Sequence, residues 1–221
     1  MTTPTSLPDV IIMACSYLSG IDPVMAEAIR RVGPCTLTPN PDIFEALVDA
    51  IISQQISVKA ADTMVARVRK VLPDGLITPG ALIALDHDDL RALGLTTPKS
   101  RYIRNLTEQV VSGELDLEQL SQLDDEMVIN KLTALKGIGR WTAEMILIFS
   151  LARPDVLPID DLGFLEGVRE AYSLPARPTS KEMRSRGELW RPFRTFATWY
   201  MWGLRRLAVQ NNRERTRIVS L

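Results

Sequence analysis

The chain is 221 residues long, 46% hydrophobic and 24% charged, which is enough to bury a sizeable core in one large domain or two small lobes. Its formal net charge of −1 excludes a protein coated in positive charge, so any nucleic-acid binding has to come from a local patch. Two cysteines, Cys15 and Cys35, fall short of the four that an iron–sulfur cluster needs, and with one histidine, His87, they make a poor zinc site.

The opening MTTPTSLPDV has no basic stretch leading into an apolar run. The longest apolar runs, Val10 to Ala14 and Met145 to Leu151, are too short to span a bilayer, so a soluble, unsecreted protein with no membrane partner is expected. The cysteines read as free buried thiols, with a disulfide between them as the alternative.

Helix punctuation recurs along the chain and nothing alternates like a strand for more than a few residues, which predicts an all-α fold. Gly20 reads as a helix stop. Asp22-Pro23 is a cap followed by a proline at the first helical position, and Gly33 closes that helix. Asn40-Pro41, Thr78-Pro79 and Thr97-Pro98 repeat the start signal, and Gly113 the stop. Between Asp42 and Leu72 the positions Phe44, Leu47, Val48, Ile51, Ile52, Ile56, Met64, Val65 and Val68 recur every three or four residues, as a long helix or a broken pair burying one face requires. Polar Ser53, Gln54 and Gln55 interrupt this series, either as an exposed turn of the helix or as a functional loop edge. His87, in LDHDDL, reads as a solvated helix start, and Lys99 and Arg101 as solvated residues at another.

Next comes LKGIGRWTAEMI, Leu135 to Ile146. Apolar residues at helical spacing lead into Gly137-Ile138-Gly139 and continue beyond it, which describes two helices joined by a hairpin. On those residues alone the glycines are either a tight turn or a phosphate site, because the second helix starts with unpaired N–H groups. Arg153 to Pro158 and Ser173 to Ser180 read as linkers. A lobe boundary in the first would put a ligand-binding cleft between the hairpin and Asp160-Asp161. That pair, ahead of LGFLEGVREAY, reads by composition as a helix N-cap. From Lys181 onwards Arg184, Arg186, Arg191, Arg194, Arg205, Arg206, Arg213, Arg215 and Arg217 outnumber Glu182, Glu188 and Glu214. They form either a solvated helix surface or a DNA-facing patch.

LKGIGRWTAEMI strongly resembles the hairpin of the helix-hairpin-helix base-excision DNA glycosylase superfamily, usually L-P-G-I/V-G-x-x-T-A, with Lys136 at the usual proline. FEALVDAIISQQIS, LGLTTPKSRYIRNL, VLPIDDLGFLEGV and WRPFRTFATWYMW resemble further segments of its alkyl-base branch, the 3-methyladenine DNA glycosylase II family. The resemblance implies two helical lobes, 43–149 carrying the hairpin (132–150) and 1–42 with 150–221, with the active site in the cleft between them.

The resemblance further implies a monofunctional glycosylase that flips alkylated purines out of duplex DNA and hydrolyses the N-glycosidic bond in base excision repair. Its substrates would be 3-methyladenine and 7-methylguanine, then 1,N6-ethenoadenine or hypoxanthine. Asp161 would be catalytic, and Asp160 a cap or support. Trp141, Met145 and Trp202 would line the base pocket, with Trp141 at the position of the lysine nucleophile of bifunctional relatives. Gly137, Gly139 and Thr142 would hold phosphate, and Gln54 and Gln55 would meet DNA, with Gln55 at the position of a wedge. The carbonyls of Thr133, Leu135 and Ile138 match a structural Na⁺ or K⁺ site, and no other cofactor is implied. The partner would be double-stranded DNA containing alkylated bases, and the protein a monomer in the nucleoid-containing cytoplasm of a prokaryote or the nucleus of a eukaryote. The alternatives are a noncatalytic DNA-binding module using the same hairpin, and a glycosylase for oxidised or deaminated bases.

Overall fold

A computed structural model of the chain describes residues 6–219, with side chains through residue 211. Its regular elements there are twelve α-helices and two short 3-10 turns, with no strand among the described residues. In chain order the helices are α1 (Leu7–Ile21), α2 (Pro23–Val32), α3 (Ile43–Ser53), α4 (Val58–Val71), α5 (Pro79–Leu82) and α6 (His87–Ala92). They continue with α7 (Thr97–Val111), α8 (Asp125–Thr133), α9 (Arg140–Phe149), α10 (Leu162–Ala171), α11 (Ser180–Leu189) and α12 (Arg194–Val219). The chain divides into two compact units, Pro39–Leu151 and a unit joining the chain up to Thr38 with the chain from Ala152 on. Among the described residues no helix is long and apolar enough to cross a membrane.

In the unit from Pro39 to Leu151, α3 is the buried element and packs on α4, α7 and α9. Phe44, Leu47, Val48, Ile51 and Ile52 are all buried, which accounts for the dense apolar series in that stretch. The series belongs to a broken pair: α3 ends at Ser53, and α4 restarts after Ser57, whose hydroxyl accepts from the Ala60 N–H. Ser53-Gln54-Gln55 is therefore a corner between helices, and not an exposed helical turn. Asn40-Pro41 starts α3 two residues early; Asp42 is the cap, accepting from the Glu45 N–H at 2.8 Å, and Asn40 accepts from the Asp42 N–H.

In the other unit α12 packs on α10, α2 and α1. Contact is close because small residues stand where the backbones meet: a Cβ on Gly167 of α10 would lie 2.2 Å from the Met201 carbonyl oxygen. Phe164, Trp190, Phe196 and Tyr200 are buried to 1% exposure or less. Asp22 caps α2 through the Val24 N–H at 2.9 Å, and its second oxygen accepts from the Tyr172 hydroxyl and, at 3.4 Å, from the Trp190 indole. A single carboxylate thus satisfies a helix start and two aromatic donors, one half-buried and one buried. Gly20 lies inside α1, which runs on until Asp22, so the stop read there is displaced. Gly33, at φ +84°, does close α2. Cys15 and Cys35 are free thiols, Cys15 lying 3.2 Å from the Tyr200 hydroxyl.

Arg153 to Pro158 is stapled to the start of α12 and is no loose linker. The Thr195 hydroxyl donates to the Arg153 carbonyl at 2.6 Å and accepts from the Val156 N–H at 3.0 Å, while Arg194 grips Asp155. Much of the C-terminal positive charge is neutralised by its neighbours. Arg191 and Arg194 pair with Asp155, Arg205 pairs with Glu170, and Arg186 stacks over the Tyr172 ring at 3.8 Å. Arg184 and Arg206 are exposed, and Arg213, Arg215 and Arg217 lie outside the residues with described side chains.

One buried charge works against stability. Asp49 on α3 has an oxygen out of contact with solvent and without a hydrogen-bond partner. Burial, and to a lesser degree the charge of Asp42, pushes its carboxyl up to about 6. The folded protein therefore holds that proton more tightly than the unfolded chain, so the penalty for ionising it grows as pH rises from about 4 through about 6. Asp49→Asn is expected to raise the melting temperature at pH 7.5, by about 2–4 °C for each kcal/mol recovered, and to give no gain at pH 4. Melting curves of both proteins at the two pH values check this.

Candidate active site

The hairpin is built from the end of α8, the loop Ala134–Gly139 and the start of α9. Gly137 sits at φ +91°, where residues with a side chain are strained. A Cβ there would also lie 2.2 Å from the ring of Tyr102, so a side chain is excluded twice over. Gly139 is the extended N-cap of α9, and no side chain caps that end. A helix start without a side-chain cap turns its backbone N–H groups and positive end toward an anion.

The arginine that opens α9 is held by its neighbours. Arg140, the first residue of α9, pairs with Glu126 at 2.6 Å and with buried Glu144 at 3.0 Å. Thr142 is only 5% exposed, so little of its side chain is open to an external phosphate. Trp141 is 47% exposed on the first turn of α9, and half-buried Met145 lies four residues later on the same face. The carbonyls of Thr133, Leu135 and Ile138 lie where α8 ends, beyond the reach of its ladder. That of Leu135 accepts from the Ile138 N–H at 3.1 Å, and all three are oxygen donors of the kind a hard monovalent cation takes.

At the α3–α4 corner the two glutamines part company. Gln54 donates its side-chain amide to the Gly137 carbonyl at 2.7 Å, which ties the corner to the hairpin. Gln55 is exposed and held at φ +59°. Lys99, expected to be solvated, is half-buried and donates to the carbonyls of Ile52 and Gln54, both at 2.7 Å. His87 likewise has a partner, its Nδ1 lying 2.8 Å from the Ser100 hydroxyl.

In the other unit Asp161 is the N-cap of α10. Its Oδ1 accepts from the Phe164 N–H at 2.6 Å and from the Trp202 indole N–H at 2.8 Å. Capping therefore belongs to Asp161 and not to Asp160, because α10 begins at Leu162 and only Asp161 stands three residues before the N–H it receives. Asp160 is exposed. Gly163 keeps the space beside this pair: a Cβ there would lie 3.3 Å from Asp161 Oδ1 and 3.6 Å from the Trp202 ring. The arrangement is a carboxylate fixed by a helix end and by an aromatic N–H. Phe196, Trp199 and Tyr200, earlier on α12, are core.

Residues 48–192 match the family described as HhH-GPD superfamily base excision DNA repair protein. The chain belongs to the HhH-GPD superfamily. Among HhH-GPD relatives, DNA-3-methyladenine glycosylase 1 of Schizosaccharomyces pombe is 36% identical over 87% of this chain and 86% of its own length. The solved structure of the Schizosaccharomyces pombe 3-methyladenine DNA glycosylase in complex with abasic DNA superimposes with a TM-score of 0.75 at 36% identity, covering 86% of this chain and 95% of that one. A DNA-3-methyladenine glycosidase from Bacillus halodurans gives 0.80 at 35% identity, covering 87% and 88%.

The sequence of this HhH-GPD chain pointed to the hairpin, Asp161 and Trp202 but not to Lys99, Tyr102 or the Asp161–Trp202 bond. None of these three left a local signal, because each depends on a partner far along the chain. Gly137→Ala is expected to lower stability by about 1–3 kcal/mol through the positive φ and the Tyr102 contact combined. It should weaken duplex binding as the turn shifts. Denaturant titration with an electrophoretic or anisotropy binding assay measures both.

Proposed function

We propose that this protein is a monofunctional DNA glycosylase that removes alkylated purines, 3-methyladenine and 7-methylguanine first, from double-stranded DNA in base excision repair. The observation that carries the reading is Asp161: a carboxylate anchored by the Phe164 N–H and the Trp202 indole, in a chain whose relatives are named 3-methyladenine glycosylases. Cleavage of the glycosidic bond passes through an oxocarbenium-like sugar, which a fixed carboxylate beside C1′ stabilises while it also orients or deprotonates water. A ring-alkylated purine is already cationic and leaves neutral, so the chemistry asks for no dedicated general acid.

Trp202, bonded to Asp161, supplies an aromatic face suited to an electron-poor base extruded from the duplex; Trp141, with Met145 on the same face of α9, carries an exposed ring of the same kind. Phosphate is held at the uncapped start of α9, next to Gly137 and Gly139. An indole cannot form a Schiff base, so Trp141 leaves the enzyme without the lysine chemistry that cuts the backbone. The expected product is an abasic site. No cofactor takes part in the reaction; a Na⁺ or K⁺ at the Thr133, Leu135 and Ile138 carbonyls would brace the hairpin. The working form is a monomer, located where its DNA is, in the nucleoid of a prokaryote or the nucleus of a eukaryote.

Incubation of the protein and its Asp161→Asn variant with methylated duplex DNA tests this, by measuring free bases and then strand breaks before and after alkali. Release of 3-methyladenine is expected from the first, reduced roughly a hundredfold or more in the variant, with breaks only after alkali. Asparagine caps helices about as well as aspartate, so the variant should keep its stability within about 0.5 kcal/mol. Undiminished release by Asp161→Asn would remove Asp161 from the chemistry. Binding without release by either protein would leave a DNA-binding module.

A further inference from the structure

Three contacts in the unit from Pro39 to Leu151 connect the corner after α3 to the glycine turn. Lys99, on the first turn of α7, donates to the carbonyls of Ile52 and Gln54, both at 2.7 Å. Gln54, whose carbonyl Lys99 holds, donates its own side-chain amide to the Gly137 carbonyl at 2.7 Å. Tyr102, three residues after Lys99 on the same face of α7, packs its ring where a Gly137 side chain would be. α7 thus touches both the corner and the turn, and Gln54 bridges them directly.

An ammonium over the last carbonyls of a helix is an ordinary C-terminal cap. The residue after this cap is less ordinary. Gln55 is exposed and held at φ +59°, a conformation that costs a residue with a side chain about 1 kcal/mol or more and persists only where its surroundings impose it. The surroundings here are the two carbonyls held by Lys99 and the Gln54 amide held by the Gly137 carbonyl.

We propose that Lys99 and Gln54 are positioning residues that lock the Gln55 corner to the phosphate-gripping turn, so that the side chain directed at the base stack and the backbone holding phosphate move as one rigid piece. The inference rests on the DNA-glycosylase reading for its setting. Phosphate grip alone anchors the protein on any duplex. Recognition of a base missing from the stack requires the corner to sit at a fixed distance from that anchor. Losing the lock leaves the anchor intact and lets the corner swing.

The test uses the whole protein with Lys99→Met, which keeps the length of the side chain and removes its donors, Lys99→Arg, which restores them, and Gln54→Leu, which cuts the bridge from its other end. Each is measured for melting temperature, for affinity to an undamaged duplex and to the same duplex carrying a tetrahydrofuran abasic analogue, and for single-turnover release of 7-methylguanine. Lys99→Met and Gln54→Leu are each expected to lose about tenfold or more of the preference for the abasic duplex and of the release rate. Affinity for the undamaged duplex should stay within about twofold. Lys99→Arg should recover most of the preference, and the Lys99→Met, Gln54→Leu double variant should be little worse than either single one, because both cut the same connection.

Wild-type preference for the abasic duplex in Lys99→Met and Gln54→Leu overturns the inference. So does an equal loss of affinity for both duplexes in step with a fall in melting temperature, which marks a purely structural cap. Absence of base release from the wild-type protein speaks against the glycosylase reading alone, because preference between the two duplexes is read without any chemistry.

Discussion

Every α-helix leaves its first N–H groups and last carbonyls without partners inside the helix, and this protein is organised by how those groups are answered. At α10 the answer is Asp161, whose Oδ1 also takes the Trp202 indole. At the end of α3 it is the Lys99 ammonium. At the start of α9 no side chain answers, because Gly139 stands at the cap. The capped ends fix side chains in place, and the start of α9 is where the proposed reading puts phosphate. The proposed chemistry, the proposed lock and the proposed phosphate grip are three outcomes of one rule of backbone bonding.

Charge follows a similar economy. Arg140 lies next to the uncapped end but is held by Glu126 and Glu144, and Arg194 and Arg205 are held by Asp155 and Glu170. Guanidiniums that look in sequence like a basic surface are, in these cases, the fastenings of helix starts and ends. The near-zero net charge is therefore matched by pairing at close range. With Arg140 so held, the proposed phosphate grip at α9 draws on oriented backbone dipoles and on the exposed Lys136 in the turn rather than on the arginine.

The features legible in the sequence were local. Asp22-Pro23, Thr78-Pro79 and Gly113 mark helix ends because caps and glycine stops act within four residues. The all-α class and the hairpin came from spacing and from a motif whose glycines have a backbone reason to be there. Long-range pairings stayed hidden. Asp161 and Trp202 are 41 residues apart, and Gln54 and Gly137 are 83 apart, and no period or composition connects either pair. The misreadings have the same origin: Gly20 and the Arg153–Pro158 segment carry local stop and linker signals that packing against other elements overrides. Lys99 read as solvated for the same reason, since its two acceptors belong to the end of another helix and the corner after it.

The backbone at Gln55 carries a consequence for how this corner can change. Glycine there would relax the left-handed conformation and make the corner easier to form, but it would have no atoms for the proposed role of reaching into a gap in stacked bases. A β-branched residue would offer bulk but suffers most from a positive φ. A long, unbranched polar side chain reaches furthest for the strain it incurs. Position 55 is thus a place where thermostability and reach are opposed, and a variant selected only for heat resistance would drift away from the shape that makes the corner useful.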